Sequence, residues 1–324
     1  MCEKAAEKFD LVKGVHVHKN TLKVIMETKK MYDVLLFGQM MKDRIVLQNE
    51  THRATGGAVY YAGFAVQRSG VRVAIVTKLA KNDDELLDEL RESGVEVFAV
   101  YDAVTSSIEI TYPGEQPDKR TAHFPCVAQP FTMADIPDVR AEIVHLCPLL
   151  RGEISLAMVR KMREQARLLS LDAQGFMRDK TEDGAMRLTD WEEKAAGLAL
   201  VDILKVDDVE AEILTGESDL RKAVESLAAY GPREIVVTYK DGMIVYTDGI
   251  VYEAPFTSRN FKGRTGRGDT TMGAYLARRL SHSPEEACQF AGALVSLKME
   301  EHGPFRKTLQ DVNQRLRESY RDAV

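Results

Sequence analysis

The sequence has little cysteine, and this scarcity restricts the class of protein. Among 324 residues there are four cysteines, Cys2, Cys126, Cys147 and Cys288, and they are scattered with no CxxC pair. Such spacing forms neither a disulfide framework nor a cysteine zinc site. We therefore expect a reducing, cytoplasmic compartment.

Long hydrophobic runs and an excess of positive charge are also missing. No stretch approaches the roughly 18 apolar residues that a membrane-spanning helix needs. The first ten residues, MCEKAAEKFD, are charged and lack the apolar segment of a secretory signal. A formal net charge of -6 argues against a general binder of nucleic acids or anionic membranes, although it permits a local basic pocket for a phosphate. We expect a small-molecule partner, with no nucleic acid and no membrane.

The sequence does contain a regular alternation of strand and helix patterns. From Tyr32, YDVLLFG is a short apolar run typical of a buried strand, and GGAVYYAGFAVQRSG then carries a helical apolar face. The alternation continues through VRVAIVTKL, DDELLDELRESG and VEVFAVYD, and resumes from EIVHLCP to EIVVTYK. Buried strands separated by helices predict a mostly parallel sheet covered by helices. We predict an α/β fold with a single domain over residues 32–324, preceded by an extension of uncertain structure over residues 1–31.

Two regions interrupt this alternation. Residues 44–50 and 106–125 contain RIVLQNE, SSIEITYP and TAHFP, in which apolar and polar residues alternate. Such alternation is typical of half-buried antiparallel strands. We predict that these strands form a small accessory sheet beside the main sheet.

The stretch KGRTGRGDTTMG precedes a predicted helix and combines glycine with both signs of charge. Gly266 and Gly268 allow the backbone to approach a ligand closely, and the first amides of a helix lack internal acceptors. Together they predict an anion socket, to which Arg264 and Arg267 add positive charge. Asp269 beside this socket either caps the helix or takes a proton from a hydroxyl group that attacks a phosphoryl group. The motif alone leaves both interpretations open.

Several segments together resemble one family. TGRGDTTMGAYL is similar to the anion-hole motif of the ribokinase-like (PfkB) sugar and nucleoside kinases, whose usual form is D-T-x-G-A-G-D followed by a helix. FGQMMKD, GGAVYYAGFAVQRSG, KVDDVEAEILTG, EIVVTYKDG and FAGALVSLKMEEHG resemble further family segments in the correct order, from about residue 32 to 305. The resemblance implies a three-layer ribokinase-like fold, with helices on both sides of a mostly parallel central sheet and a small antiparallel β lid.

The resemblance also implies an activity. It is the transfer of the γ-phosphoryl group of ATP, with Mg²⁺, to a hydroxyl group of a sugar or polyol. A nucleoside kinase of the same fold and a non-catalytic ligand-binding relative remain as alternatives. As in some relatives, the lid strands could join a second copy into a homodimer.

Roles of individual residues follow from the same resemblance. Asp269 would be the general base, and the backbone amides of Gly266, Arg267 and Gly268 would form the anion hole. Substrate binding is implied for Asp43, Gly56, Gly57 and Tyr61. Nucleotide binding is implied for Asp207, Thr238, Lys240, Gly242 and Gly303. Glu210 would hold Mg²⁺ through water.

Some positions depart from the family pattern near the donor. Gly263 and Arg264 replace the D-T pair whose aspartate helps to hold a monovalent cation in relatives, which argues against activation by potassium. Lys240 replaces a glycine and Gly292 a frequent asparagine, so the phosphoryl donor is left open.

Other departures concern the acceptor side. Tyr61 stands where sugar kinases often carry asparagine, and it either stacks on a ligand ring or packs in the core. DAQGFMRD resembles D-x-N-x-R with its arginine two positions late, so Asp172 and Arg178 are candidates only.

Overall fold

The computed structural model describes residues 30–47, 50–112 and 121–320. A compact unit begins at Met31. Nearly all of the predicted extension over residues 1–31 lies outside the described residues, so that part of the domain prediction stays a prediction. No described helix is both long enough and apolar enough to cross a membrane.

The described residues form strands and helices in the alternating order that the sequence predicts. The strands are Met31–Phe37 (β1), Met41–Leu47 (β2), Glu50–Gly56 (β3), Val73–Ala80 (β4), Glu96–Asp102 (β5), Ser106–Tyr112 (β6), Thr121–Cys126 (β7), Arg140–Leu146 (β8), Ala166–Asp172 (β9), Arg178–Lys180 (β10), Met186–Leu188 (β11), Ile203–Asp207 (β12), Glu234–Tyr239 (β13), Gly242–Thr247 (β14) and Ile250–Pro255 (β15). The α-helices are Ala58–Arg68 (α1), Asp88–Glu92 (α2), Leu156–Arg163 (α3), Gln174–Met177 (α4), Lys194–Leu198 (α5), Asp208–Thr215 (α6), Leu220–Ala228 (α7), Arg267–Arg279 (α8), Pro284–Met299 (α9) and Leu309–Ser319 (α10).

The main sheet is mostly parallel, as predicted. Among the described strands its order is β15-β14-β13-β12-β9-β8-β1-β4-β5. All neighbours from β13 to β5 pair in parallel, and the hairpin of β14 and β15 adds two antiparallel strands at one edge. The carboxyl ends of the parallel strands therefore meet along one edge, where ligand sites form in sheets of this kind.

Helices cover both faces of this sheet. In β1, Leu35 and Phe37 pack on one face with α3, α6 and α7, whereas Val34 and Leu36 pack on the other with α1. Successive side chains of a strand point to opposite faces, so a strand that is covered on both sides must be apolar throughout. Helices α8, α9 and α10 complete the second face. The three-layer architecture is confirmed.

The accessory sheet is present, with the order β3-β2-β6-β7. Its outer pairs are antiparallel as expected, but the central pair β2–β6 is parallel. The reason lies in the main sheet: β2 follows β1 and β6 follows β5, and these two strands run in the same direction. Strand β3 was not predicted, because ETHRATG is polar and largely exposed and lacks an apolar alternation.

The segment DDELLDELRESG was predicted as one helix, and this was wrong in detail. Residues Lys81–Leu87 form a 3-10 helix with a kink at Asp83, followed by the short α2. The Asp83 carboxylate accepts hydrogen bonds from Thr105 Oγ1 at 2.5 Å and from Lys42 Nζ at 2.8 Å. This side chain therefore links β2 of the accessory sheet to the connection between β4 and β5 instead of supporting a regular helix.

Candidate active site

Two acidic residues singled out in the sequence lie at the carboxyl edge of the parallel strands. Asp172 is the last residue of β9 and Asp207 the last of β12. Asp172 lies opposite Lys205 across the β9–β12 pair, and Asp207 lies opposite Thr238 across the β12–β13 pair. Residues far apart in the sequence are thereby brought to one place by strand order alone.

The glycine-rich stretch forms the start of α8, as predicted. Gly266 is the N-cap, with φ of 74° in the left-handed region that glycine adopts without strain. A Cβ atom at this position would lie 2.2 Å from Cγ of Tyr61, so the ring packs directly on the glycine backbone. Tyr61 is buried, and this contact gives it a packing role beside the predicted anion hole.

The three amides predicted for the anion hole are not equivalent. Arg267 N–H donates to the carbonyl of Arg264 at 3.2 Å, so this amide is already engaged. Gly268 is a first-turn residue, and its amide has no acceptor within the helix. A Cβ atom at Gly268 would lie 3.4 Å from Lys205 Nζ, which places an ammonium group beside the same turn.

Asp269 does not act as the cap of this helix. The N-cap residue is Gly266, and the helix has no side-chain capping hydrogen bond. Burial raises the pKa of Asp269, and the negative charge of Asp172 raises it further, whereas Lys205 and Arg178 act in the opposite direction. Of the two interpretations of this aspartate, capping is therefore not observed.

Asp43, predicted to bind the acceptor, lies close enough to Asp269 for the two carboxyl groups to interact electrostatically. Its carboxylate sits against Gly56, where a Cβ atom would lie 2.1 Å from Oδ1. That oxygen is buried and has no hydrogen-bond partner. Burial and the negative charge of Asp269 raise the pKa of Asp43 to about 7. Gly57, with φ of 104°, packs against the backbone of Gln39, which lies between β1 and β2.

Four charged side chains, three of them buried and Arg178 partly buried, form a cluster that acts electrostatically on Asp269. Lys205 Nζ lies 3.1 Å from Asp172 Oδ2 and 3.8 Å from Glu210 Oε2, and Arg178 Nη2 lies 3.8 Å from Glu210 Oε1. Burial lowers the pKa of Lys205, but Asp172 and Glu210 outweigh that effect and the net shift is upward. Buried atoms of the cluster without a hydrogen-bond partner are Asp172 Oδ2, Glu210 Oε1 and Arg178 Nε.

The residues predicted to organise Mg²⁺ do not fit a direct metal site. Asp207 accepts a hydrogen bond from Glu210 N at 2.7 Å, and Glu210 Oε2 accepts one from Asp207 N at 2.8 Å, which is a capping box. Lys205 and Arg178 further compensate the Glu210 charge. No group of three or more His, Cys, Asp or Glu residues in the described ranges is arranged for a metal ion. Contact of Glu210 with Mg²⁺ through water stays a prediction.

The residues predicted to bind the nucleotide are spread more widely. Thr238 is buried at the end of β13, and the exposed Lys240 follows in the turn. Arg267 Nη1 donates to the Lys240 carbonyl at 3.0 Å, so the turn is linked to the start of α8.

The two glycines of the nucleotide prediction make local contacts. Gly242 faces Tyr239 within its own hairpin, and Gly303, with φ of 83°, faces Arg306. Neither contact reaches Asp269. Their roles stay predictions.

Two lysines at the site were not predicted to have a role. Lys205 is the first residue of the quoted segment KVDDVEAEILTG, and its place two residues before the end of a buried strand was the available signal. Lys298 lies near the end of α9, within the largely apolar run FAGALVSLKM. A lysine among residues that are expected to be buried was the available signal.

Comparisons with known proteins bear on the family and the fold. The model of the pfkB family carbohydrate kinases matches residues 28–309. A pyrophosphate-dependent kinase of the ribokinase family, solved with a pyrophosphate analog and myo-inositol, is 35% identical with a TM-score of 0.80, and the match covers 87% of this chain and 99% of that one. A sulfate complex of a pyrophosphate-dependent kinase of that family is 36% identical with a TM-score of 0.81, covering 86% and 99%.

A more distant structure shares the fold. Arabidopsis thaliana ribokinase, solved with ribose and ATP, is 17% identical with a TM-score of 0.69, and the match covers 88% of this chain and 99% of that one. None of the curated proteins matches the sequence. The family resemblance, the fold and the class of phosphotransferase with an alcohol acceptor are thereby confirmed.

Proposed function

Because the chain belongs to the pfkB family of carbohydrate kinases, we propose that it transfers a phosphoryl group from pyrophosphate to a hydroxyl group of a cyclic polyol such as myo-inositol. One observation carries the proposal. The carboxylate of Asp269 does not cap α8 but belongs to the first turn of that helix, which Lys205 adjoins, and its charge acts on Asp43, whose Oδ1 has no hydrogen-bond partner.

In the proposed step, Asp269 acts as general base. The acceptor O–H bond breaks, its proton passes to the Asp269 carboxylate, and the oxygen forms a bond to phosphorus. The bond from phosphorus to the bridging oxygen breaks, and inorganic phosphate leaves with that electron pair. Burial and Asp172 raise the pKa of Asp269 towards a better base, while Lys205 and Arg178 keep its ionised form accessible.

The donor side of the step needs positive charge at the transferred phosphoryl group. The Gly268 amide at the positive end of the α8 dipole and the Lys205 ammonium beside it supply this charge. Of the amides predicted for the anion hole, we assign the main part to Gly266 and Gly268, with the Arg267 amide shared with Arg264.

The acceptor is proposed from the structure of the lid side. Asp43 Oδ1 is buried without a partner and would accept a hydrogen bond from an acceptor hydroxyl, which stabilises both groups. The narrow space at Gly56 holds this carboxylate in place. Myo-inositol is proposed because it is bound in the 35% identical kinase.

Pyrophosphate is preferred over ATP, which the motifs imply, for two reasons. The relatives at 35% and 36% identity are pyrophosphate-dependent, whereas the ATP-bound ribokinase is 17% identical. In addition, Gly292, at the position of a frequent asparagine, packs against the Tyr320 hydroxyl, which would lie 2.5 Å from a Cβ atom there. Tyr320 in turn donates to the Pro255 carbonyl at 2.7 Å. Tyr320 thus fills space beside the position where the resemblance expects nucleotide contacts.

Magnesium and location belong to the proposal as well. A magnesium ion that accompanies the donor would be bound mainly by the donor's own phosphate oxygens, which is usual for this ion. The cytoplasm remains the proposed location, on the grounds of the scattered thiols.

A matrix of donors and acceptors tests the proposal. The purified protein is incubated with pyrophosphate or ATP and with inositol, ribose, fructose or a nucleoside, and phosphomonoester formation is followed by ³¹P NMR. We expect the ester and inorganic phosphate in equal amounts with pyrophosphate and inositol. Ester formation with ATP alone would overturn the donor, transfer only to nucleosides would overturn the acceptor, and no ester with any pair would overturn the proposed function.

A further inference from the structure

Lys298 is a buried lysine whose partners are not carboxylates. It lies in the last turn of α9 with 2% of its surface exposed. Its Nζ donates to the carbonyl of Gly263 at 2.6 Å and also to the carbonyl of Thr265. The ammonium group lies 5.1 Å from the centre of the Tyr61 ring, within the range of a cation–π interaction.

These partners connect Lys298 to the predicted anion hole from two directions. Gly263 and Thr265 belong to the loop that leads directly into Gly266. The Tyr61 ring, on the other side, packs on the Gly266 backbone. One ammonium group therefore contacts both the loop and the ring that determine where the first amides of α8 lie.

Contacts other than those of Lys298 also restrict the loop of residues 263–265. Gly263 N donates to the Met299 carbonyl at 2.9 Å, and a Cβ atom at Gly263 would lie 1.7 Å from the Glu301 carbonyl oxygen. The backbone on one side of Lys298 is thus pressed against the end of α9. The carbonyls of Gly263 and Thr265 converge on the ammonium group, in the way that backbone carbonyls surround a bound cation.

A buried ammonium group is costly unless its surroundings compensate the charge. The pKa of Lys298 is lowered to about 7, mainly by burial. The negative charge of Asp269 raises this pKa, and the positive charge of Arg267 lowers it. The charge of Lys298 is therefore coupled to the proposed general base, although the two side chains lie on different helices.

We propose that Lys298 is a positioning residue that replaces a bound monovalent cation: its ammonium group holds the carbonyls of residues 263 and 265 and thereby the anion hole. The enzyme accordingly needs no added potassium or sodium. The inference rests on the proposed function, because the anion hole has a use only if a phosphoryl group is transferred.

The wild-type protein provides the first test. Turnover of pyrophosphate and inositol is measured in buffers whose monovalent cation is tetramethylammonium, sodium or potassium. We expect the same kcat/KM in all three, since tetramethylammonium is too large to enter a carbonyl site. A rise of about 10-fold or more on adding potassium would overturn the proposal while leaving the phosphotransferase activity in place.

The second test removes the side chain and returns a cation. In Lys298→Ala we expect kcat/KM in tetramethylammonium to fall by about 10²-fold, because a displacement of about 1 Å in a catalytic group has effects of this size. Potassium or ammonium ions should restore a substantial part of that loss. They should also restore affinity for pyrophosphate, measured by calorimetry, which is a readout independent of turnover.

Lys78 offers a matched control. It is also a buried lysine, and its Nζ donates to the Pro130 carbonyl at 2.8 Å and lies 4.9 Å from the Phe131 ring centre, but unlike Lys298 it also has a carboxylate partner, Asp135 Oδ2, at 3.1 Å. Lys78→Ala should lower stability without any rescue of turnover by cations. Rescue of both variants, or of neither, would overturn the proposal. If Lys298→Ala does not fold, the wild-type cation series decides alone, and inactivity of the wild type with every donor would instead refute the proposed function.

Discussion

Two largely buried networks of charge lie at opposite ends of the parallel strands of the main sheet. At the amino end of β13, Glu234 accepts hydrogen bonds from Tyr275 Oη at 2.5 Å and from Arg279 Nε at 3.0 Å, and Arg279 Nη2 lies 2.8 Å from it. At the carboxyl edge, the cluster of Asp172, Lys205, Glu210 and Arg178 is held at 3.1 to 3.8 Å. Both carboxylate oxygens of Glu234 in the first network accept hydrogen bonds, whereas in the second network Glu210 Oε1 and Arg178 Nε make none and the ion pair between Arg178 and Glu210 is long, at 3.8 Å.

This difference indicates what each network is for. A buried polar atom without a partner costs about 1–3 kcal/mol, so a purely structural network is expected to pair its atoms. The Glu234 network ties α8 to the sheet and is complete by itself. The cluster at the carboxyl edge keeps polar atoms that make no hydrogen bond, as a site for a ligand would. It adjoins Asp269 and Gly268.

Removing one cation from each network should separate their roles. In Lys205→Met we expect kcat to fall by about 10²- to 10³-fold, since a group that stabilises charge in the transition state is lost. In Arg279→Met we expect a loss of about 1–3 kcal/mol in the free energy of unfolding, because Glu234 loses hydrogen bonds, with kcat unchanged. Steady-state kinetics and urea unfolding of both variants measure the two effects.

The pattern of results decides the comparison. If Arg279→Met lowers kcat as much as Lys205→Met, the two networks do not differ in function. If Lys205→Met retains wild-type turnover and is only less stable, the cluster at the carboxyl edge is structural.

Arg267→Ala sharpens the donor side of the comparison. The Arg267 guanidinium bonds to the Lys240 carbonyl and lies 5.8 Å from the Phe256 ring centre, at the first residue of α8. We expect kcat/KM with pyrophosphate to fall by about 10-fold, as is typical for the loss of one charge-assisted contact. Equal kcat/KM in variant and wild type would show that this arginine only orders the turn.

A pH series tests the unpaired carboxyl on the acceptor side. The pKa of Asp43 is raised from 3.8 to about 7, so between these values the folded chain holds a proton that the unfolded chain releases. Stability of the ligand-free protein should therefore fall as pH rises from about 4 to about 7, by at most about 4 kcal/mol from this group, and fall no further above it. In Asp43→Asn this part of the decline should vanish. An identical decline of Tm in variant and wild type would contradict the assignment.

The smallest expected effect concerns the lid. Strand β3 is one of the two outer strands of the accessory sheet, and most of its residues are exposed. We propose that this edge pairs with a second copy in a homodimer, as an open strand edge permits. Light scattering should show a dimer, and His52→Pro, at a position opposite Ile45 and away from Asp43, should reduce it with little effect on turnover of the monomer. A monomer at all concentrations would exclude this pairing.

The layered fold could be predicted because its signals are local. Apolar runs such as YDVLLFG and helices that end in glycine depend on a few consecutive residues, and the structure follows them closely. The start of α8 at the glycine-rich stretch was also predictable, since helix termini have a characteristic composition.

Other features depend on which segments the fold brings together. The direction of β2 against β6 follows from the main sheet, and β3 carries no apolar pattern at all. The cluster around Lys205 needs the pairing of β9 with β12, and Lys298 needs the packing of α9 on the loop at Gly263. No single segment of the sequence contains this information.

Asp269→Asn provides the most direct test of the central claim, that this carboxylate takes the proton of the acceptor while neighbouring amides hold the phosphoryl group. Turnover and pyrophosphate affinity of the variant are measured beside the wild type with the best pair of substrates. We predict that kcat falls by at least about 10²-fold while the affinity for pyrophosphate changes little. Wild-type turnover in the variant would contradict the account.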